Sequence, residues 1–200
     1  MTRRSTGKIQ GRKAVASGHG RLRIVAGIWR SRVLEIADVP GLRPTSERIR
    51  ETLFNWLTPE IARSRCLDLY AGTGALGLEA LSRGAIATVF VEKSVRAVKA
   101  LQSSIDALGA GNATLHRVDA LDFLKNYNDE RFDVVFLDPP FSNDCVADLC
   151  RLLAEEGLLA NNARVYIEQD RNQPEPELPP GWSVAKKKTA GNVRYALLTT

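Results

Sequence analysis

Three short patterns carry residue types that could do chemistry together. The first is Asp138-Pro139-Pro140-Phe141, directly after the run Phe-Asp-Val-Val-Phe-Leu at 132–137. Two consecutive prolines fix φ twice and remove two N–H donors. What remains is acceptors, the Asp138 carboxylate and the Pro139 carbonyl. Side by side, they suit the two hydrogens of a planar exocyclic amine, and that grip turns the nitrogen lone pair toward an electrophile. Phe141 offers a flat face for a base to stack on. The second pattern is Gly72-x-Gly74-x-x-Gly77, with Glu92 lying 20 residues after Gly72. Glycines let the backbone approach a ligand, and a helix N-terminus supplies unpaired N–H groups. An acid at the end of the following strand accepts hydrogen bonds from ribose hydroxyls. This pattern fits a dinucleotide or any other nucleoside cofactor. The third is Asp68, four residues before Gly72, giving D-x-x-x-G-x-G. That carboxylate can order the loop and face a cationic ligand. With D-P-P-F, it tilts the reading toward S-adenosylmethionine, which carries an ammonium and a sulfonium. Positioning and electrostatics then do most of the catalysis, and the amine proton leaves afterwards to Asp138 or water.

The elements that must hold these groups alternate between strands and helices from residue 65 onward. Strands are expected at 66–70, 88–91, 113–118, 132–137 and 164–167, with helices at 75–83, 94–108 and 144–155. Such alternation predicts a parallel sheet covered by helices on both faces. Two last strands, near 182–186 and 193–198, have no helix between them and should form a terminal antiparallel hairpin. The expected architecture is therefore α/β and Rossmann-like, with a mostly parallel seven-stranded sheet. Upstream, 21–26 and 33–36 read as a small β-hairpin turning at 27–31, and a helix capped by Ser46 should run to Pro59. The domain reading is a disordered basic tail at 1–20, a basic hairpin extension at 21–42, and a catalytic domain at 43–200.

Composition narrows the classes. The chain has 200 residues, 44% hydrophobic and 26% charged, which excludes global disorder. No apolar run approaches membrane-spanning length, so no membrane association is expected. Cys66, Cys145 and Cys150 form no C-x-x-C pair and read as small buried hydrophobes in a reducing cytoplasm. His19 and His116 are too isolated for a metal site, and none is expected. The net charge of +5 is uneven. Residues 1–50 hold 12 Lys/Arg against three acids, while the other 150 hold 16 against 20. A basic arm beside a near-neutral domain is the footprint of a polyanion binder.

The segments RIVAGIWRSRVL (23–34), RPTSERIRETLFNWL (43–57), CLDLYAGTGALGLEALSRGA (66–85), VEKS (91–94) and DPPF (138–141) carry a closer likeness. Over residues 21–200 the chain resembles the bacterial 16S rRNA guanine-N2 methyltransferase D (RsmD) family, class I S-adenosylmethionine-dependent enzymes. The resemblance implies methyl transfer to the exocyclic N2 of a guanine, position 966 in the family's usual designation. It implies that Asp68, Gly72 and Gly74 line the cofactor, that Glu92 binds its ribose and that Asp119 sits near the adenine. Tyr70, Lys93 and Ala120 would complete that pocket, and Arg43 and Thr45 would close its methionine end. Asp138 would hold the target amine. Arg21, Arg23, Trp29, Arg30 and Arg32 would grip rRNA phosphates and stack near an unstacked base. The implied partner is 16S rRNA in a small-subunit particle or assembly intermediate, engaged by a monomer. One departure is Ser31, where the family usually has Gly; it could stiffen the hairpin turn. Lys186–Lys188 reads equally as solvated edge protection or as a second RNA contact.

Three other readings share some of these features. D-P-P-F would also serve a DNA adenine-N6 or protein glutamine-N5 methyltransferase. The glycine loop alone would serve an NAD-dependent oxidoreductase. The basic arm alone would serve a nucleic-acid-binding module with a dead pocket.

Overall fold

The structure is a computed structural model that describes residues 20–36, 45–140 and 145–200. The basic tail before Gly20, Arg43 and Phe141 lie outside the described residues. The first element among the described residues is a hairpin, β1 (Gly20–Arg23) and β2 (Val33–Ile36), paired antiparallel with Leu22 opposite Leu34. α1 (Glu47–Trp56) and the single turn α2 (Thr58–Ile61) follow. Then come β3 (Arg65–Asp68), α3 (Ala75–Ser82), β4 (Ala87–Val91), α4 (Val95–Leu108) and β5 (Ala113–His116). The rest is α5 (Ala120–Asn126), β6 (Phe132–Leu137), α6 (Val146–Glu155), β7 (Leu159–Asp170), β8 (Ser183–Ala190) and β9 (Val193–Thr199).

The main sheet has the order β5-β4-β3-β6-β7-β9-β8. Its first five strands are parallel, and β9 runs antiparallel to both β7 and β8. The order reverses between β3 and β6, which are neighbours 68 residues apart (Cys66 beside Val134). A crevice opens outside the carboxyl ends of the strands at such a switch point. Residues of one strand alternate between two cores. On β6, Val134 and Phe136 join α1, α3, α4 and the hairpin; Val135 and Leu137 join α5 and α6. Burial on both faces is why β6 reads as an almost continuous apolar run.

The hairpin shares the main core rather than standing apart from it. Leu22, Ile24, Leu34 and Ile36 are all buried in the cluster that holds α1, α3 and α4. Its polar anchor is a buried ion pair. The Arg50 guanidinium, on the inward face of α1, donates to Glu79 Oε2 of α3 at 3.1 Å, to the Arg23 carbonyl at 2.8 Å and to the Thr45 carbonyl at 3.2 Å. Glu79 also accepts the backbone N–H groups of Val25 and Ala26 and the Arg83 side chain. Arg50 is 1% exposed and Glu79 0%. Burial pushes the Arg50 pKa below its usual value, and the Glu79 charge opposes that shift.

Several boundaries differ from the sequence expectation, each for a physical reason. Pro59 does not end a helix but opens α2, because Pro is tolerated in a first turn where its N–H would be unpaired. α5 is an additional helix, capped by Asp119, whose Oδ1 accepts from Leu121 N–H at 3.0 Å. β1 is shorter than expected: Ile24 still bonds the returning arm at Ser31 and Arg32, but the Val25 and Ala26 N–H groups turn to Glu79. β7 and β8 are longer, because pairing with β9 carries β7 to Asp170 and β8 to Ala190. Ser31 adopts φ +67°, the left-handed conformation in which Gly would be unstrained.

Removing one partner of a buried pair strands the other's charge, at a cost of about 3–5 kcal/mol. Arg50→Met is therefore expected to lower stability by about 3 kcal/mol or more in urea denaturation. A loss below about 1 kcal/mol would mean that Arg83 alone satisfies Glu79.

Candidate active site

A cavity of about 790 Å³ opens at the carboxyl edge of the sheet, between the ends of β3, β4, β6 and β7. Its floor begins with the turn between β3 and α3. Gly74 takes φ +76°, and a Cβ there would lie 2.4 Å from Leu101 Cδ1. A Cβ on Gly77 would lie 2.2 Å from the Phe90 ring, so this glycine lets α3 pack against β4. Asp68, at the last position of β3, is 3% exposed, and its Oδ2 accepts the Gly77 N–H at 2.9 Å. Burial, opposed in part by that hydrogen bond, raises the Asp68 pKa to about 7, with the charges of Asp138 and Glu92 adding to the rise.

Glu92 follows β4 and reaches back to the loop. One carboxylate oxygen accepts the Gly72 N–H at 3.0 Å and the other the Ser94 N–H at 2.7 Å. The side chain is thus held at the rim with lone pairs still open to the cavity. Asp119 caps α5 and meets Lys93 Nζ at 3.4 Å. Asp138 follows β6, where Pro139 and Pro140 continue the wall. Its Oδ2 accepts from the Thr45 hydroxyl at 3.3 Å, across 93 residues of chain. Burial raises the Asp138 pKa, and the Thr45 hydrogen bond opposes the rise.

Most residues singled out from sequence meet in this one space. Thr45, Asp68, Tyr70, Gly72 and Glu92 line it, as do Lys93, Asp119, Ala120, Asp138, Pro139 and Pro140. Gly74 shapes the turn without lining the cavity. The hairpin residues lie elsewhere. The Ile28 and Trp29 N–H groups bond Ser82 at the far end of α3, and Arg32 reaches the Ala107 carbonyl near the end of α4. Both helices begin at the cavity side, so the turn bearing Trp29, Arg30 and Arg32 sits about 12 Å or more from its floor, at 1.5 Å per helical residue. Trp29 is half-buried against the core, while Ile28 beside it is 79% exposed. The Trp29 indole is thus not poised to stack on a base over the cavity. Arg21 and Arg23 are exposed nearer the mouth, with Arg23 beside Glu47 of α1 at 3.9 Å.

Sequence reasoning missed Glu168, which is 3% exposed and lines the cavity next to Asp138. The missed signal was polar residues continuing the β7 run: Glu168, Gln169 and Asp170 still pair with β9. Asn192 and Val193, at the β8–β9 turn, line the cavity beside Asp170.

The volume lies within the roughly 300–1,000 Å³ of small-molecule sites. Its charged groups are carboxylates, Lys93 excepted. Asp68, Asp138 and Glu168 cluster at one end and Glu92 stands farther along. An acid holding the first turn of α3 opposes a pyrophosphate, so the donor set disfavours a dinucleotide. It fits a ligand with a cationic end and a ribose. The strand order with its reversed last hairpin, joined to this acidic switch-point cavity, defines a class I methyltransferase fold.

The Conserved hypothetical protein 95 family matches residues 22–199. The chain is 43% identical over 181 residues to ribosomal RNA small subunit methyltransferase D of Escherichia coli K12, covering 90% of this chain and 91% of that protein. It is equally 43% identical over 181 residues to the protein of that name from Haemophilus influenzae, covering 89% and 93%. Among solved structures, yhhF of Escherichia coli superposes with a TM-score of 0.84 at 39% identity, covering 90% of this chain and 98% of that one. A methyltransferase complexed with SAH shares the fold at a TM-score of 0.70 and 15% identity, covering 96% and 58%. The chain belongs to the ribosomal RNA small subunit methyltransferase D family, and with it to the S-adenosylmethionine-dependent class I methyltransferases.

The raised Asp68 pKa has a consequence for stability. A carboxyl whose folded pKa exceeds its unfolded value binds more protons when folded, so stability falls as pH rises between the two values. For Asp68 that window runs from the ordinary aspartate value of 3.8 to about 7. The ligand-free protein should lose stability across it, by an amount on the order of 1–4 kcal/mol. Asp68→Asn should flatten the dependence in denaturation series at several pH values. An unchanged slope would place the pKa shift elsewhere.

Proposed function

We propose that the protein transfers a methyl group from S-adenosylmethionine to the exocyclic N2 of a guanine in small-subunit rRNA, at position 966. The observation that carries the reading is the Asp138 carboxylate and Pro139 carbonyl at the mouth of an acid-lined, switch-point cavity. Two acceptors and no competing proline N–H select a planar amine and fix its plane. The likeness to the small-subunit methyltransferases supports an rRNA substrate over DNA or protein.

S-adenosylmethionine supplies the electrophilic methyl. Asp68 and Asp138 face its cationic end, Glu92 accepts from its ribose, and Asp119 with Ala120 bounds the adenine. Thr45 closes the methionine end and also orients Asp138 through its hydroxyl. Gly72 and Gly74 give the loop its close approach, and Tyr70 and Lys93 complete the walls. Pro139 and Pro140 keep the amine grip rigid, and Phe141 stacks on the base. After attack, the excess amine proton passes to the Asp138 carboxylate. Arg21 and Arg23 bind phosphates beside the mouth, while Arg30, Arg32 and Trp29 hold RNA more distantly. The partner is 16S rRNA in a small-subunit particle, bound by a monomer in the cytoplasm.

Labelled methyl transfer tests the reading, with small-subunit particles, naked rRNA, DNA and protein offered in parallel. N2-methylguanosine from the particles is expected; label in adenine or glutamine would overturn the substrate. Asp138→Ala should lower kcat by about 100-fold or more while calorimetry shows S-adenosylmethionine still bound. Arg21→Ala with Arg23→Ala should weaken RNA binding and reduce its salt slope by about 2, at about 0.9 per phosphate contact. An unchanged slope would remove these residues from the interface.

A further inference from the structure

Glu168 is a buried acid that the amine grip does not use. β6 and β7 run parallel with Phe136 beside Tyr166 and Leu137 beside Ile167. The next step along both strands sets Asp138 beside Glu168, on the face that Phe136 and Tyr166 share. Both carboxyls line the same cavity. The Tyr166 hydroxyl donates to Glu168 Oε1 at 2.8 Å, which fixes that side chain from behind. The Thr45 hydroxyl donates to Asp138 Oδ2.

The surrounding titratable groups come from three strands. Tyr166 lies on β7 itself, Tyr195 is the register partner of Glu168 on β9, and Asp68 on β3 faces Asp138. Among the described residues, no lysine or arginine pairs with either carboxyl. Two adjacent carboxyls in a dry site cannot both ionise, so such a pair holds one proton. Burial and the charge of Asp138 raise the Glu168 pKa above the carboxylate range. The Thr45 hydroxyl opposes the rise at both carboxyls, and the Tyr166 hydroxyl opposes it at Glu168 as well. Glu168 nevertheless stands higher, at about 8 against about 6, because the Asp138 charge adds to its burial, so the shared proton is placed on Glu168.

Building on the amine-methyltransferase reading, we propose that Glu168 is a positioning residue: as the proton-carrying partner of Asp138, it holds that carboxylate ionised and turned toward the substrate amine. In the transfer, a bond forms between the amine nitrogen and the methyl carbon. The carbon–sulfur bond breaks, and its electron pair stays on sulfur. The cationic nitrogen then gives one proton to the Asp138 carboxylate. The pair now carries two protons, and one returns to water as the methylated base leaves.

The test compares the parent with Glu168→Gln and Glu168→Ala. Glutamine has the size of the protonated acid and cannot ionise. The parent kcat should decline at alkaline pH, where ionised Glu168 would repel Asp138; Glu168→Gln should keep kcat within about threefold at neutral pH and abolish that decline. Glu168→Ala should lose about 100-fold in kcat, with KM for RNA and Kd for S-adenosylmethionine within about threefold. Independently of activity, the ligand-free parent should show the infrared carbonyl band of neutral buried carboxyls at neutral pH, Asp68 contributing part of it, and Glu168→Gln should remove the Glu168 share. Rescue by glutamine together with that band supports the proposal. A glutamine variant as impaired as the alanine one overturns it, as does an alanine variant with parental kcat, or a band unchanged by Glu168→Gln. Comparison is made on whichever amine the parent methylates. Methylation of another amine would therefore overturn the guanine reading and leave this comparison standing.

Discussion

The ion pair between Arg50 and Glu79 is the contact on which the N-terminal half of the site depends. Two fully desolvated charges are tolerable only when their remaining donors and acceptors are filled. Here that condition is met by backbone: Arg50 takes the carbonyls of Arg23 and Thr45, and Glu79 takes the amides of Val25 and Ala26. A requirement for satisfied charges thereby becomes a weld between the hairpin, α1 and α3. The segment leading into α1 is fixed at Thr45, and the Thr45 hydroxyl is delivered to Asp138 on the far side of the cavity. The basic hairpin and the Asp138 side chain thus share one buried polar junction.

The second organising constraint is the excess of acid in the cavity. Asp68, Asp138 and Glu168 are brought together by the carboxyl ends of β3, β6 and β7, and all have raised pKa values. Such crowding costs stability in the empty protein, and it creates affinity for a cation. The parallel order places these strand ends side by side although their residues are 30 to 100 positions apart in sequence. Strain at a functional site is expected where local consistency yields to chemistry.

How much of this was legible follows from how local each signal is. The β3–glycine loop–α3 unit, Glu92 after β4 and Asp138 after β6 were readable because a short strand and its following turn carry their own residue types. α5 was missed because a helix of seven residues capped by Asp119 shows less than two turns of periodicity. Arg50 was invisible for the opposite reason. On the pattern of α1 it reads as one charge among Glu47, Arg48 and Glu51, and only the partner on α3 turns it inward. Glu168 escaped notice because strand pairing, not local pattern, extends β7 past Ile167. The hairpin was foreseen, but its direction over α3 was not, and that direction carries Trp29 away from the cavity.

The anchoring of Val25 on Glu79, 54 residues later, also constrains how the chain assembles. During synthesis, residues 20–36 emerge well before the helix that receives them. Until α3 exists, the Val25 and Ala26 amides have no carboxylate to bond and the apolar side of the hairpin has nothing to cover. A two-stranded hairpin alone is marginal in water. The hairpin is therefore held back until residue 79 has followed it, and it is set in place only once the core beneath it has formed.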